Sequence, residues 1–480
     1  MLFHSLDYAV LLITVWILAW GFLRTQLRLR HLMLLAASYL FYCAWDWRFA
    51  ALLVFSTLLD FLAGRAIYEA KSLRRKRQFL FVSLIGNLGV LVFFKYYNFF
   101  LDNLNHLLSS VGFSLPGYVE VILPLGISFY TFQTLSYSLD IYFGKLEPTR
   151  SLVDFALFVA FFPQLVAGPI VRARQFLPQL ERPVEFDEDR MISGIYRILK
   201  GLVKKVFIAD LIGLHLVDPV FKDPGNFGAL DSALAMLGFY MQLGFDFSAY
   251  ADIAIGSART LGFELPENFR GAARAVNLAE FWRRWHITLF TWVRDYLFMP
   301  MTVGRGRSRP LRPYISIFLT MTLIGLWHGA AWTFIAFGVF HGAGLAVTRW
   351  WGRRSRGRRL PPRPAPVEFA LTWCKRAGTI FLVSLSIVLF RTENIGDAFQ
   401  IYGRLFCPGQ WVVDSQLARL GVAVLGLATI LHLTTFDFRQ QVEKIFVKLP
   451  FPLQGAVLVL TLALVKMSLT VQRSFVYFQF

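Results

Sequence analysis

Apolar segments long enough to cross a membrane recur along this chain from its first residues to its last. Crossing the hydrocarbon core of a bilayer takes roughly 20 consecutive apolar residues, and short polar or charged segments separate the apolar ones. No internal repeat of the kind found in many transporters is visible. Because helices satisfy their backbone hydrogen bonds internally, the pattern predicts an all-α polytopic membrane protein.

The lengths of these segments predict about twelve transmembrane helices. The predicted crossings are residues 2–22, 31–45, 49–63, 79–101, 119–142, 200–217, 231–256, 313–331, 332–350, 367–390, 417–435 and 452–471. The polar residues 102–117 are predicted to form an external loop, and the first crossing is expected to be a retained helix rather than a cleaved signal peptide.

Two further apolar segments are too interrupted, or too closely flanked by charge, to cross. Residues 152–171 contain Pro163 and Pro169, and residues 286–303 have arginines near both ends. Irregular backbone is tolerated at membrane depth only where protein or water satisfies its polar groups. We therefore expect the first segment to be re-entrant and the second to be re-entrant or interfacial.

Composition and charge agree with a membrane protein. The chain is 56% hydrophobic and only 16% charged, against about 25% charged residues in soluble domains. The net charge of +19 is concentrated in short segments, a distribution that marks the cytoplasmic face and argues against nucleic acid as a partner. This map places both termini outside. The basic segments are residues 24–30, 65–77, 172–205, 305–312 and 349–363.

The expected organisation is one membrane-embedded domain over residues 1–480, with a cytoplasmic linker at 351–366 and C-terminal helices at 367–480. The three cysteines, Cys43, Cys374 and Cys407, show neither paired spacing nor a metal-binding pattern. Neither a disulfide framework nor a metal site is expected.

His328 is the most informative single residue, because it lies inside the apolar segment 319–342. A titratable side chain at membrane depth is costly unless it is paired or lines an aqueous cavity, so it indicates a functional site. Histidine also exchanges a proton near neutral pH. Gly325 and Gly329 flank it, and small residues allow close approach of a helix or substrate.

A second cluster of candidate residues lies within residues 280–301, where aromatic residues alternate with arginines. If this segment is one helix, Trp282, His286 and Phe290 share a face. An interfacial helix with an aromatic belt accounts for everything here except His286. The arginines of this cluster are Arg283, Arg284 and Arg294.

Two other polar residues in apolar segments are secondary candidates. His341 is expected to be a hydrogen-bonded packing histidine rather than a catalytic one, although the turn after His328 could bring the two together. Asp252 could handle protons, but a hydrogen bond to a neighbouring helix is the favoured interpretation, as it is for Asp246.

Several motifs together resemble the membrane-bound O-acyltransferase family, most closely its branch of bacterial alginate O-acetylation proteins. The resemblance covers about residues 85–350 and the C-terminal FVYFQF. The motifs are PLGISFYTFQTLSYSLDIYFG (124–144), FFPQLVAGPI (161–170), FDFSAYADIAIG (245–256), FWRRWH (281–286) and LWHGAAWTF (326–334), the last followed by FHG.

The resemblance implies a ring of helices around a central tunnel, in a bacterial inner membrane. His328 takes the position of the family's catalytic histidine, and His286 matches its upstream polar position. The implied donor is a cytoplasmic acyl thioester, most simply acetyl-CoA, which serves as co-substrate without any bound cofactor. The implied acceptor is an exported polysaccharide hydroxyl, or a periplasmic acetyltransferase of the SGNH type that relays the group.

On this basis we expect His328 to act as the base or to carry the acyl group transiently. His286 is expected to orient the donor or polarise its carbonyl, and Trp285 and Trp327 to line its binding site. Arg283, Arg284 and Arg294 are candidates for binding phosphate groups of the donor. His328 and His286 are expected to face opposite mouths of one tunnel, with His328 nearer the acceptor.

Three alternatives remain open at this point. One is a D-alanyl transferase, which has the same fold but takes its acyl group from a carrier protein. Another is a transporter or channel without chemistry, since intramembrane histidine and aspartate suit that class too. A lipid acyltransferase is the third.

Overall fold

The computed structural model describes residues 3–113, 117, 119–302, 310–355, 363–407, 416–468 and 475–476. Every regular element in those ranges is a helix, as the apolar pattern predicts. The chain divides into two compact units, residues 1–198 with 251–266, and residues 199–250 with 267–480.

The first unit is built from the helices of the N-terminal part of the chain. These are Leu6–Ile17 continued by the π-helical Leu18–Phe22, Leu27–Asp46, the 3-10 turn Trp47–Phe49, Ala50–Glu69, Leu73–Ser109, Ile127–Tyr142, Leu152–Ala160, Phe162–Leu165, Ala173–Leu180 and the first part of Glu188–Val203.

A buried carboxylate joins three of these helices. Asp60 is fully buried, and its Oδ1 accepts hydrogen bonds from the hydroxyls of Ser83 and Ser138 at 2.5 Å each. Its Oδ2 accepts from Nδ2 of Asn87 at 2.6 Å. Buried polar groups need such partners, because each one left without a hydrogen bond costs about 1–3 kcal/mol. This network therefore fixes how the three helices pack.

Two predicted boundaries in this unit are wrong. The expected external loop 102–117 is helical up to Ser109, because the polar residues continue the turns and the helix ends only near Gly112, at φ 86°. Phe113 N–H then donates to Leu108 O, the bond that closes a helix at a left-handed glycine. The predicted helix 119–142 begins at Ile127, after Gly126 at φ 74°.

The segment expected to be re-entrant is broken, and all but its first three residues are buried. Its helix Leu152–Ala160 stops at Phe161, and the short helix Phe162–Leu165 follows. Nε2 of Gln164 donates to Phe158 O at 2.7 Å and so satisfies a carbonyl that the break releases. Residues 155–173 are all buried.

The second unit holds most of the remaining helices. Its π-helical and 3-10 segments are Lys204–Ala209, Gly213–Val217, Pro224–Asn226, Ala272–Arg274 and Arg294–Phe298. Its α-helices are Asp210–Ile212, Asp218–Lys222, most of Ala229–Thr260, Leu278–Arg284, Ile287–Val293, Met299–Thr302, Arg312–His328, Trp332–Arg354, Ala365–Arg391, Ile395–Arg404, Gln416–Leu433, Phe436–Val447 and Phe451–Ser468.

Four helical stretches in the described ranges are long and apolar enough to cross a membrane alone, or five if one bent pair counts as a span. The four are Leu27–Glu69, Leu73–Ser109, Ala365–Arg391 and Phe451–Ser468. The chain is thus a multi-pass membrane protein by helix length and composition. The figure of twelve crossings stays a prediction, as does the central tunnel.

Candidate active site

The helix expected across residues 280–301 is broken at His286. Helix Leu278–Arg284 ends at Trp285, and His286 has φ 44° and ψ 52° before helix Ile287–Val293 begins. No other residue except glycine has a positive φ in the described ranges. Such a conformation costs about 1–3 kcal/mol and is typical of functional sites. The single helical face predicted for Trp282, His286 and Phe290 is therefore wrong, although the Trp282 and Phe290 rings still stack with centroids 6.3 Å apart.

Asn268 fixes the imidazole of His286. Its Oδ1 lies 3.2 Å from Nδ1 of His286 and also accepts from the hydroxyl of Thr288 at 2.9 Å and from the Thr288 backbone N–H at 3.2 Å. An oxygen that accepts these bonds requires a proton on Nδ1, so neutral His286 carries its lone pair on Nε2. Sequence reasoning missed Asn268, because it lies in a loop 18 positions before His286 and belongs to no motif.

His328 is the last residue of helix Arg312–His328 and is buried. Its ring contacts Phe390 at a centroid distance of 4.8 Å and Trp327 at 4.9 Å. The predicted hairpin with helix Trp332–Arg354 is present, and the two helices pack so closely that a Cβ added at Gly325 would clash with the carbonyl oxygen of Phe334.

Trp327 links the two histidines. Its ring lies 6.2 Å from that of His286 and 4.9 Å from that of His328, so the imidazoles are no farther apart than the sum of these distances. The hydrocarbon core of a bilayer is roughly 30 Å thick. His286 and His328 therefore belong to one cluster and are closer together than the sequence map, which placed them toward opposite faces, predicts.

His341 uses both ring nitrogens in hydrogen bonds. Nδ1 accepts from the indole N–H of Trp282 at 3.2 Å, and Nε2 lies 2.9 Å from Oγ of Ser386. Because the Ser386 hydroxyl donates to Val383 O at 2.8 Å, the His341 Nε2–H donates to Ser386. This is the geometry expected of a packing histidine.

A small cavity lies between His328 and His341. Its volume is about 20 Å³, and a cavity holds one water once it exceeds roughly 10–15 Å³. There is room for one hydroxyl-sized group beside the two imidazoles. The other residues of its wall that matter here are Trp282, Trp285, Phe247 and Phe390.

A much larger cavity, of about 840 Å³, is lined in part by Phe290 and has a basic rim. Four exposed arginines line it, of which the sequence singled out Arg283 and Arg294. Arg349 and Arg353 were missed, since their place in a basic segment predicted to be cytoplasmic already accounted for their charge. Most of its other lining residues are apolar, and the polar ones include the buried Thr320, whose hydroxyl has no hydrogen-bond partner among the described residues.

Arg284 does not line either cavity. It forms an ion pair with Glu280, with Nη2 and Oε1 at 2.6 Å. Burial acts to raise the pKa of the Glu280 carboxyl, but the Val276 N–H and the Arg284 guanidinium outweigh it and hold that pKa below its ordinary value. Arg294 pairs with the adjacent Asp295 at 2.7 Å yet remains at the cavity rim.

Asp252 belongs to the first unit, where it pairs with Arg197. Nη2 of Arg197 lies 3.2 Å from Oδ1 of Asp252, and both side chains are buried. The pair joins helix Ala229–Thr260 to helix Glu188–Val203, in agreement with the interpretation of Asp252 as an inter-helix contact.

Known proteins resemble the chain over most of its length. A family model described as "MBOAT, membrane-bound O-acyltransferase family" matches residues 145–388, which include His286, His328 and His341. The probable alginate O-acetylase AlgI of Pseudomonas putida is 40% identical over 418 residues, 86% of this chain and 82% of the relative.

Two more distant relatives act on cell-wall polymers, according to their names. The peptidoglycan O-acetyltransferase of Helicobacter pylori is 34% identical over 396 residues, 77% of this chain and 72% of the relative. The teichoic acid D-alanyltransferase of Streptococcus thermophilus is 28% identical over 313 residues, 62% of this chain and 74% of the relative.

Proposed function

The chain belongs to the membrane-bound O-acyltransferase family and is an O-acyltransferase, and we propose that it moves acetyl groups from a cytoplasmic thioester, acetyl-CoA, to the outside for O-acetylation of an exported polysaccharide such as alginate. The observation that carries this proposal is the cavity that His328 shares with His341, one tryptophan ring away from His286. In this cavity the titratable imidazole of His328 lies beside a space large enough for one hydroxyl group.

The chemistry needs a base for the attacking hydroxyl. The hydroxyl oxygen of the acceptor attacks the thioester carbonyl carbon while His328 takes its proton. The carbon–sulfur bond then breaks, and the leaving thiolate recovers the proton from His328. His286, whose Nδ1–H is engaged by Asn268, presents Nε2 as an acceptor that orients the donor through an N–H or O–H group.

The larger cavity suits the donor. Its volume of about 840 Å³ lies within the roughly 300–1,000 Å³ typical of ligand sites. Guanidinium groups bind phosphate through paired N–H donors, so the rim of Arg283, Arg294, Arg349 and Arg353 fits the phosphates of CoA. The mainly apolar remainder of the lining, which includes the Thr320 hydroxyl, fits the pantetheine arm. Trp285 and Trp327 lie beside the histidines and not in this cavity.

The proposal includes location and partners. The protein lies in the bacterial inner membrane with about twelve crossings, both termini on the periplasmic side and a central tunnel that joins the two faces. The acceptor is the polysaccharide itself or a periplasmic SGNH-type acetyltransferase that relays the group. The alginate O-acetylase name of the Pseudomonas relative supports this substrate class.

D-alanyl transfer is the second candidate, supported by the likeness to the Streptococcus teichoic acid D-alanyltransferase. The donor would then be a thioester on a carrier protein, and the basic rim would meet the carrier's phosphate arm and acidic surface. Free acetyl-CoA would not be a substrate. The transporter alternative is set aside by the family assignment.

The deciding experiment supplies radiolabelled acetyl-CoA to the purified chain in nanodiscs, with an oligosaccharide acceptor and a D-alanyl carrier protein in parallel. We expect acetyl transfer or hydrolysis that His328→Ala abolishes and that His106→Ala, at an exposed helical histidine, leaves unchanged. Full acetyl transfer by a folded His328→Ala variant would overturn the proposal, and transfer from the carrier alone would favour D-alanylation.

A further inference from the structure

Phe475 and Val476 are buried in the second unit, 0% and 4% exposed. The backbone N–H of Val476 donates to Oδ2 of Asp246 at 2.7 Å. Oδ1 of the same carboxylate lies 3.0 Å from Nζ of Lys205, which also contacts Asp210 at 2.8 Å. One oxygen of Asp246 thus pairs with the Lys205 ammonium, and the other accepts a hydrogen bond from the backbone of Val476, which is distant in sequence.

The burial of the Lys205–Asp246 ion pair explains why the hydrogen bond between Asp246 and Val476 is specific. Lys205 and Asp246 are both fully buried, and an intramembrane charge is costly unless it is paired. The Val476 N–H in turn needs an acceptor, because a buried backbone donor left without a hydrogen bond is destabilising. Any residue type at position 476 except proline could supply this N–H, so Asp246 recognises the backbone of the segment.

The hydrogen bond between Val476 and Asp246 places the Phe475 ring next to aromatic residues that lead to the candidate active site. The ring of Phe475 stacks on Tyr250 with centroids 4.1 Å apart and contacts Phe247 at 5.5 Å. Phe247 meets the imidazole of His286 edge to face at 4.7 Å and lines the small cavity of His328. A single ring therefore separates Phe475 from His286.

We propose that Phe475 is a positioning residue for acyl transfer. The hydrogen bond from Val476 N–H to Asp246, whose carboxylate is paired with Lys205, keeps the Phe475 ring against Phe247. Phe247 in turn packs against the His286 imidazole and keeps it in place. Because His286 lies in a helix break, no regular backbone dictates where its ring points, so the hydrogen bond to Asn268 and the packing against Phe247 must supply that precision. This inference rests on the role of His286 in the proposed function.

The first test is kinetic and uses the full chain in nanodiscs. A misplacement of about 1 Å can cost on the order of 100-fold in rate. We expect Phe475→Ala to lower kcat on the order of 10- to 100-fold while the KM for acetyl-CoA stays within about twofold, and Phe475→Leu to restore most of kcat. Phe399→Ala, at a 67% exposed aromatic residue of the same unit, is the matched control.

The second test measures docking without any activity. In a chain whose three cysteines are replaced by serine, Val476→Cys reports the accessibility of the segment to a maleimide. Asp246→Leu removes the acceptor, while Lys205 keeps its ion pair with Asp210 at 2.8 Å, so that no lysine charge is left unpaired. We expect Asp246→Leu to raise the labelling rate roughly tenfold. Asp218→Asn, which removes a carboxylate from the half-buried pair with Arg391, is the control.

The two tests separate the possible failures. If Phe475→Ala keeps the wild-type kcat, or if Asp246→Leu labels no faster than the control, the positioning role is wrong. If wild-type protein transfers no acetyl group although Val476→Cys is protected by Asp246, the proposed function fails while the docking of the segment stands.

Discussion

The indole N–H of Trp282 donates to Nδ1 of His341 at 3.2 Å, and this bond sets one wall of the cavity that also contains His328. Trp282 is fixed on its other side by stacking against Phe290, at the boundary with the larger cavity. His341 thus helps to determine where the rings of Trp282 and Phe290 lie.

His341→Phe should therefore act mainly on stability. It leaves the Trp282 indole N–H buried without an acceptor, which costs about 1–3 kcal/mol. We expect a lower melting temperature in detergent, a kcat per folded molecule within about tenfold of wild type, and recovery of stability in His341→Gln, which offers an acceptor. Loss of all activity at unchanged stability would instead make His341 a catalytic residue.

His286 offers a way to separate backbone strain from chemistry. Glycine adopts a positive φ readily, so His286→Gly should keep the fold while removing the imidazole. His286→Ala should lose about 1–2 kcal/mol in addition, because its Cβ opposes the left-handed conformation. We expect both variants to lose acetyl transfer. Free imidazole should restore part of the transfer activity in His286→Gly only.

The glycine and alanine variants of His286 are compared with wild type by their melting temperatures and by their acetyl-transfer rates with and without imidazole. Should His286→Gly be as active as wild type, the imidazole has no part in the reaction. Equal melting temperatures for the glycine and alanine variants would show that the break at His286 stores no strain.

The helical architecture was predictable from the sequence, because membrane burial requires apolar segments that show directly in composition. The end of helix Leu73–Ser109 was not, since polar residues outside the apolar core continue a helix until a residue such as Gly112 closes it. His328 could be found because a histidine in an apolar segment is conspicuous. Asn268 could not, because only the fold brings that loop residue to His286.

The arginine rim gives a prediction about donor binding. Neutralising Arg283 or Arg349 to Gln should raise the KM for acetyl-CoA about tenfold or more each, since about 1.5–3 kcal/mol for a hydrogen bond to a charged group corresponds to roughly 10- to 150-fold. The kcat should change little, because the phosphates are remote from the reacting carbonyl. Dephospho-CoA thioesters and added salt should narrow the difference between variant and wild type.

Arg284→Gln is the matched control, since Arg284 pairs with Glu280 and lines neither cavity. Its KM should stay near that of wild type. A rise in KM for Arg284→Gln as large as that for Arg283→Gln would mean that the rim acts through net charge alone, and no rise in either would place the donor elsewhere.

The Asp60 network gives a prediction for the first unit. Asp60→Ala leaves the donors of Ser83, Ser138 and Asn87 buried without their shared acceptor. At about 1–3 kcal/mol for each orphaned group, the variant should be severely destabilised and poorly inserted. Asp60→Asn, which retains one acceptor oxygen, should be intermediate, and Ser138→Ala, which removes one donor of three, the mildest. Thermal unfolding in detergent checks this order. If Asp60→Ala unfolds at the wild-type temperature, the carboxylate does not hold these helices together, and its burial calls for a functional explanation.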